Sequence, residues 1–180
     1  MLLLNTACFG KMSERIAHKS AGLNGDFEVS QSGYPVNWIL YTPKTVPHSD
    51  FDMVVDKTDF SSGKQSLKFV VRECSSIGGW KSPGLTSEIE AEPGVTYKVS
   101  FWAKNKGSQF RFMLGGVSAK EGQYGVNVTS SDTMEIWQKI EYEFTVPGNY
   151  SRLRLELNIT KPGVFQIDDL KVEKAQSKTK

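Results

Sequence analysis

From Tyr97 to Lys104, apolar and polar side chains alternate without a break. Tyr97, Val99, Phe101 and Ala103 fall on one side of an extended chain, with Lys98, Ser100, Trp102 and Lys104 on the other. A segment of period two can bury its apolar side only as a strand, and the pattern recurs. Ile140, Tyr142 and Phe144 alternate with Lys139, Glu141 and Glu143, while Leu153, Leu155, Leu157 and Ile159 alternate with Arg154, Glu156 and Asn158. Turns punctuate these runs at Pro93-Gly94, Pro147-Gly148 and Pro162-Gly163, where proline presets φ and glycine accepts positive φ. Phe165 and Ile167 lead to Leu170 and Val172, and the doublet Asp168-Asp169 breaks the alternation, which predicts a bulge. Further strands are predicted at 26–30, 38–42, 51–57, 65–71, 85–91 and 109–115, with a long loop holding one short strand between 115 and 133. No window keeps apolar residues at helical spacing. The chain therefore reads as an all-β sandwich or barrel.

The 180 residues suit one domain with a core large enough to need no disulfide framework, and only Cys8 and Cys74 are present. The formal charge of +2 is unevenly placed: residues 1–21 carry +2 and residues 174–180 carry +3, which leaves the body at −3. An acidic body with basic tails does not predict a nucleic-acid groove, which needs clustered cations on the folded surface. Leu2-Leu3-Leu4-Asn5-Thr6-Ala7-Cys8 looks like the end of a bacterial lipoprotein signal, although Asn5 replaces the usual aliphatic residue and the charged start is missing. Two readings stay open: a lipid on Cys8, or an incidental apolar tip. On the first, residues 1–21 are a truncated signal and tether, 22–173 the folded domain, and 174–180 a basic disordered tail. The protein would then be extracellular or at the cell surface, touching the membrane only through that lipid, and monomeric.

The order of several short motifs adds a resemblance. Asn24-Gly25-Asp26-Phe27-Glu28 is followed by Gly33, Pro35 and Trp38, then by 63–69 (GKQSLKF) and 93–104 (PGVTYKVSFWAK). Trp137, Phe144-Thr145-Val146-Pro147 and Phe165-Gln166-Ile167-Asp168-Asp169-Leu170 complete it. The series resembles the carbohydrate-binding modules of families four, nine and twenty-two, within the galactose-binding-like jelly rolls, over about residues 24–173. The resemblance implies a jelly-roll β-sandwich of two antiparallel sheets, with Trp38 and Trp137 as core anchors. It also implies a structural calcium on Glu28 and one or both of Asp168 and Asp169; the alternative is that Glu28 pairs with a lysine and the doublet caps a bulge.

Sugars are recognised by aromatic rings stacked on their apolar faces and by polar side chains that bridge hydroxyls. The strand pattern points Trp102 outward, and Arg111, Arg154, Glu156 and Asn158 share outward faces of two strands that a jelly roll makes neighbours. Trp80, in Ile77-Gly78-Gly79-Trp80, and Tyr124, in Gly122-Gln123-Tyr124-Gly125, sit in loops suited to presenting a ring. These seven residues are the expected ligand contacts on a concave sheet, for a polysaccharide or oligosaccharide. An outward Trp102 can equally cover a loop crossing its sheet. Two histidines, His18 and His48, cannot build a metal triad or a Ser-His-Asp arrangement. Glu88, Glu90 and Glu92 alternate along one strand, which more simply marks a solvated edge than a catalytic pair across a cleft. The expectation is a non-catalytic, secreted or surface-tethered module, an accessory of glycoside hydrolase systems. A structural or protein-interaction lipoprotein domain is the rival, and a small glycoside hydrolase or lyase the third reading.

Overall fold

The computed structural model describes residues 15–116, 124–148 and 150–175. In chain order its strands are β1 (Ser30–Gln31), β2 (Tyr34–Pro35), β3 (Ile39–Tyr41), β4 (Asp50–Asp56), β5 (Ser66–Glu73) and β6 (Gly84–Glu90). There follow β7 (Thr96–Lys106), β8 (Gln109–Gly116), β9 (Tyr124–Ser130), β10 (Met134–Thr145), β11 (Arg152–Lys161) and β12 (Gly163–Lys174). Two five-stranded antiparallel sheets result, ordered β10-β7-β12-β5-β4 and β3-β6-β11-β8-β9, with β1 and β2 as a separate hairpin. This is the jelly-roll sandwich that the alternation and the motif order imply.

The alternating residues meet between the sheets. Val99, Phe101, Phe165, Ile167, Leu67 and Phe69 from the first sheet face Phe110, Phe112, Leu114, Leu153, Leu155 and Leu157 from the second, all buried. Ring centroids of Phe101 and Phe112 lie 5.0 Å apart, and those of Phe110 and Phe165 4.9 Å apart, so aromatic pairs bridge the two layers. Each buried Phe or Leu stabilises the sandwich by about 1.5–3 kcal/mol relative to exposure.

Three local readings change. The stretch 26–30 is a turn up to Val29, because the Asn24 amide donates to the carbonyls of Val29 and Val36 and accepts from the Val29 N–H, folding the chain back. Asn24 and Phe27 take φ of 53° and 56°, and Trp38, a buried anchor as expected, donates its indole N–H to the Asn24 carbonyl at 3.0 Å. Trp137 is not a core anchor. The β7–β10 register shifts between Met134 and Gln138, and its half-buried indole donates to Asp59 Oδ1 at 2.9 Å. The third change is β9, a full seven-residue strand where a short one was expected. The bulge at the Asp doublet is present, with the register shifting between Asp168 and Lys171 and Asp169 at φ 50°. Hydrogen bonds carry the folded unit slightly past 22–173, since the Asn37 N–H donates to Ile16 and the Ala175 N–H to Thr96. Cys8 and residues 176–180 lie outside the described residues.

Candidate functional site

Arg154, Glu156 and Asn158 leave β11 on the side opposite to Leu153, Leu155 and Leu157, and therefore on the outer face of the second sheet. In the ladder Asn158 pairs with Arg111 and Glu156 with Met113 on β8, so these predicted neighbours do come together. On the other flank Glu156 pairs with Thr86 of β6, and β3 brings Tyr41 opposite Gly84.

The centre of this face is a polar cluster. Arg154 Nε donates to Glu156 Oε2 at 3.1 Å, and Arg154 Nη2 donates to the Tyr41 hydroxyl at 3.0 Å. That hydroxyl in turn lies 3.5 Å from Glu156 Oε1. Glu156 is only 4% exposed, while Arg154, which holds it, is half-exposed. Burial first, then the Glu156 carboxylate, pushes the Tyr41 phenol up to about 12, against the pull of Arg154. Tyr41 therefore stays a neutral donor at any physiological pH. Sequence reasoning missed it, although it alternates with Leu40 in the predicted strand 38–42.

One end of the face is crossed by the β5–β6 connection, residues 74–83. Asn158 holds it in both directions: its Oδ1 accepts from the Gly79 N–H at 2.9 Å and its Nδ2 donates to the Gly79 carbonyl at 3.3 Å. Arg111 Nη2 donates to the Ile77 carbonyl at 3.1 Å and to Asn158 Oδ1 at 3.4 Å. Such close approach needs glycine. Gly78 has φ 81°, and a Cβ there would stand 1.8 Å from Arg111 Nη2. A Cβ on Gly79 would come 3.8 Å from Glu156 Oε1, so the latched loop borders the polar cluster. The loop leaves Trp80 61% exposed, with Ile77 exposed beside it.

The predicted residues thus separate into roles. Trp80 is the exposed ring, Arg154 is half-exposed at the centre, and Arg111 underlies the loop. Asn158 is fully buried and holds the loop, which corrects its expected place among surface contacts; Glu156 is likewise covered. Trp102 belongs to β7 in the other sheet and cannot share a face with Arg154. Residues 57–65 are fastened to that sheet by groups around Trp102: Asp59 accepts from Trp137 and, at 2.6 Å, from Lys104 Nζ, while Asp168 Oδ2 accepts from the amides of Ser61 and Ser62. Tyr124 opens β9 opposite Gly115, and its side chain lies outside what the structure describes. Of the alternating glutamates, Glu88 and Glu90 pair with Arg152 and Glu92 with Lys174.

The sequence profile of a carbohydrate binding domain family, CBM_4_9, matches residues 19–163. The chain belongs to this family. A solved family 4 carbohydrate-binding module is 16% identical with a TM-score of 0.62, over 84% of this chain and 98% of that one. The CBM22-1 xylan-binding domain of Xyn10C from Paenibacillus barcinonensis is 15% identical with a TM-score of 0.59, over 85% and 93%. The enzymatically active domain of tailspike protein 4 of bacteriophage CBA120 is 16% identical with a TM-score of 0.61, over 87% of this chain but 21% of that one. At these identities the likeness is one of fold. No curated protein matches the sequence. The family is one of binding domains, not of catalytic ones.

In a carbohydrate binding domain of this kind the implied calcium can be tested against the residues present. Glu28 Oε1 accepts from the amides of Lys64 and Gln65, and Asp168 from those of Ser61, Ser62 and Asp169. Two carboxylates thus grip one short stretch, 61–65, and neither has a cationic partner among the described residues. Asp168 is fully buried, which pushes its carboxyl up against the pull of those amides. A buried carboxylate without a cation, here Asp168, supplies the hard oxygen that calcium takes, and the oxygens of both acids, already accepting from amides, would then be shared with the ion. Asp169 does not fit, being paired with Lys171 at 2.8 Å, and no group of three acids converges among the described residues.

Proposed function

We propose that this module binds polysaccharide without cleaving it, on the outer face of the β3-β6-β11-β8-β9 sheet. The observation that carries the reading is the latched loop, which holds an exposed Trp80 beside the Arg154–Glu156–Tyr41 cluster. Trp80 offers an apolar plane for a pyranose ring, and Arg154, held by the buried Glu156 and Tyr41, offers charge-assisted donors to hydroxyls. Binding of this kind is weak and rests on a few groups. Xylan is the first ligand to try, because a structural neighbour is a xylan-binding domain. Affinity electrophoresis on xylan, β-glucans and mannans tests the proposal. Retention on at least one polymer, lost in Trp80→Ala and kept in Trp102→Ala, supports it; no retention, or retention that Trp80→Ala leaves intact, overturns it.

The same reading includes a calcium held by Glu28, Asp168 and loop carbonyls, and secretion or surface tethering through a lipid on Cys8. Attachment to or partnership with a glycoside hydrolase would make the module an accessory of polysaccharide breakdown. Mass spectrometry of the native N-terminus tests the tether: a diacylglyceryl modification on Cys8 supports it, and an unmodified Met1 start overturns it.

A further inference from the structure

We infer that the Trp80 end of this face selects an anionic sugar, a uronic acid unit within the polysaccharide; the inference rests on the proposed binding face. Four arginines lie in strands of the two sheets, and three are matched by carboxylates. Arg72 pairs with Asp50 and Asp52, Arg152 with Glu88 and Glu90, and Arg154 with Glu156. Arg111 is the exception. Its Nη2 donates to a backbone carbonyl and to an amide oxygen, neither of which cancels its charge. Its Nε is buried without an acceptor, and its Nη1 makes no hydrogen bond among the described residues.

A second cation stands close by. Lys81 Nζ lies 5.4 Å from the centroid of the Trp80 ring and has no carboxylate partner among the described residues. The indole is 61% exposed even with this ammonium over it, so it keeps surface for a sugar. Two unmatched cations at one end of a binding face contrast with a body whose net charge is −3. Hydroxyls of a neutral glycan would use donors and acceptors alike and would gain nothing from that excess. A carboxylate on a pyranose stacked against Trp80 would gain from both: each cation adds an uncancelled positive charge, and Nη1 of Arg111 is a donor still without a partner among the described residues. Latching Arg111 through Nη2 fixes its orientation before any ligand arrives, which reduces the ordering cost of binding.

The test uses the full chain and two forms of one polymer, a glucuronoxylan and the same glucuronoxylan reduced at its carboxyl groups, with a sulfated xylan as a third arm. The acidic polymer should bind about tenfold tighter than the reduced one, and that advantage should shrink as salt rises from about 0.05 to about 0.5 M. Arg111→Gln and Lys81→Gln should each narrow the gap; the second leaves the loop's hydrogen bonds in place, so its effect cannot come from unlatching. Equal affinity for the two forms, or a gap unchanged in both variants, overturns the inference and leaves the proposed function standing. Retention of no polymer, in the panel or here, overturns both; retention of a neutral β-glucan or mannan with none of either glucuronoxylan form overturns the inference alone. Preference for sulfate with none for uronate overturns the carboxylate assignment.

Discussion

Replacing Asn158 by alanine isolates what the loop latch contributes. The change removes two reciprocal hydrogen bonds to Gly79 and a longer one from Arg111, at a position with no exposed surface. At about 1 kcal/mol net for each, the closed loop loses roughly 1–3 kcal/mol against its open form. The core contacts of Leu157 and Ile159 on either side of Asn158 are untouched, so the loss falls on residues 75–82 rather than on the sandwich. Global stability falls by no more than the loop's own closing free energy, because beyond that point the open form becomes the native state. Amide exchange of residues 75–82 should then speed up by about 5- to 150-fold, with exchange in β7, β11 and β12 unchanged. Affinity for polysaccharide should fall in proportion to the closed fraction that remains, since Trp80 in an open loop must be ordered on binding. Unchanged exchange in 75–82 would refute the latch. Loss of exchange protection in 75–82, which marks a mostly open loop, with unchanged affinity would refute the idea that the latch presents Trp80.

Other expectations follow from single groups. Burial pushes Asp56 up, but the Thr58 hydroxyl and amide and the Lys68 ammonium outweigh it and hold the carboxyl down at about 2. Because this lies below the ordinary carboxylate range near 3.9, the pair stabilises the fold above about pH 4 and is lost as pH falls toward 2; roughly 2–3 kcal/mol of this acid dependence should vanish from urea unfolding of Asp56→Asn. In a phenolate absorbance titration, the ionisation removed by Tyr41→Phe should centre near 12. If calcium sits at Glu28 and Asp168, calcium at about a hundredfold its Kd should add about 2.7 kcal/mol and raise the Tm by several degrees, with chelator reversing it; a Tm indifferent to both would exclude the ion. Trp137→Phe should lower stability by about 1 kcal/mol through loss of its bond to Asp59, with polysaccharide retention unchanged; lost retention would place the site on the wrong sheet.

Most strands were legible because a two-sided layer writes its burial into every second residue. Leu153, Leu155 and Leu157 state the direction of β11 without any knowledge of its neighbours, and Arg154, Glu156 and Asn158 follow by alternation. Which sheet a strand joins is not written locally. Trp102 and Arg154 both read as outward, but β7 and β11 belong to different layers, so outward means opposite sides of the molecule. Sequence also cannot distinguish an outward group that meets solvent from one that meets a crossing loop. Asn158 has the pattern of a surface residue and no exposed surface, because the Gly78-Gly79 pair allows backbone to lie directly on it. Trp137 is misread for a different reason: its place in the motif series suggests a core anchor, whereas the alternation of Ile140, Tyr142 and Phe144 already puts it on the outer side with Lys139, where it meets Asp59.

The two outer faces are made unequal by the two ends of one strand. The connection into β5, residues 57–65, folds back over the outer face of its own sheet, and the connection out of it, residues 74–83, crosses to the outer face of the other. The first is fastened by acids whose partners are all internal: Asp59 takes the Trp137 indole and Lys104, and Asp168 and Glu28 take backbone amides of the loop itself. Its aromatic and charged groups are thereby committed to each other. The second is fastened by the amide of Asn158 and one edge of Arg111, through backbone alone, so that the side chains of Ile77, Trp80 and Lys81 remain uncommitted to the latch. A loop held by its main chain is ordered yet leaves its side chains to solvent, and this combination of rigidity with an exposed ring lowers the entropic cost of stacking a sugar. This is the ground on which we propose the outer face over β11 and β8 for a weak, ring-stacking ligand. The face over β7 and β12 resembles it in composition, but its hydrogen bonds are already closed.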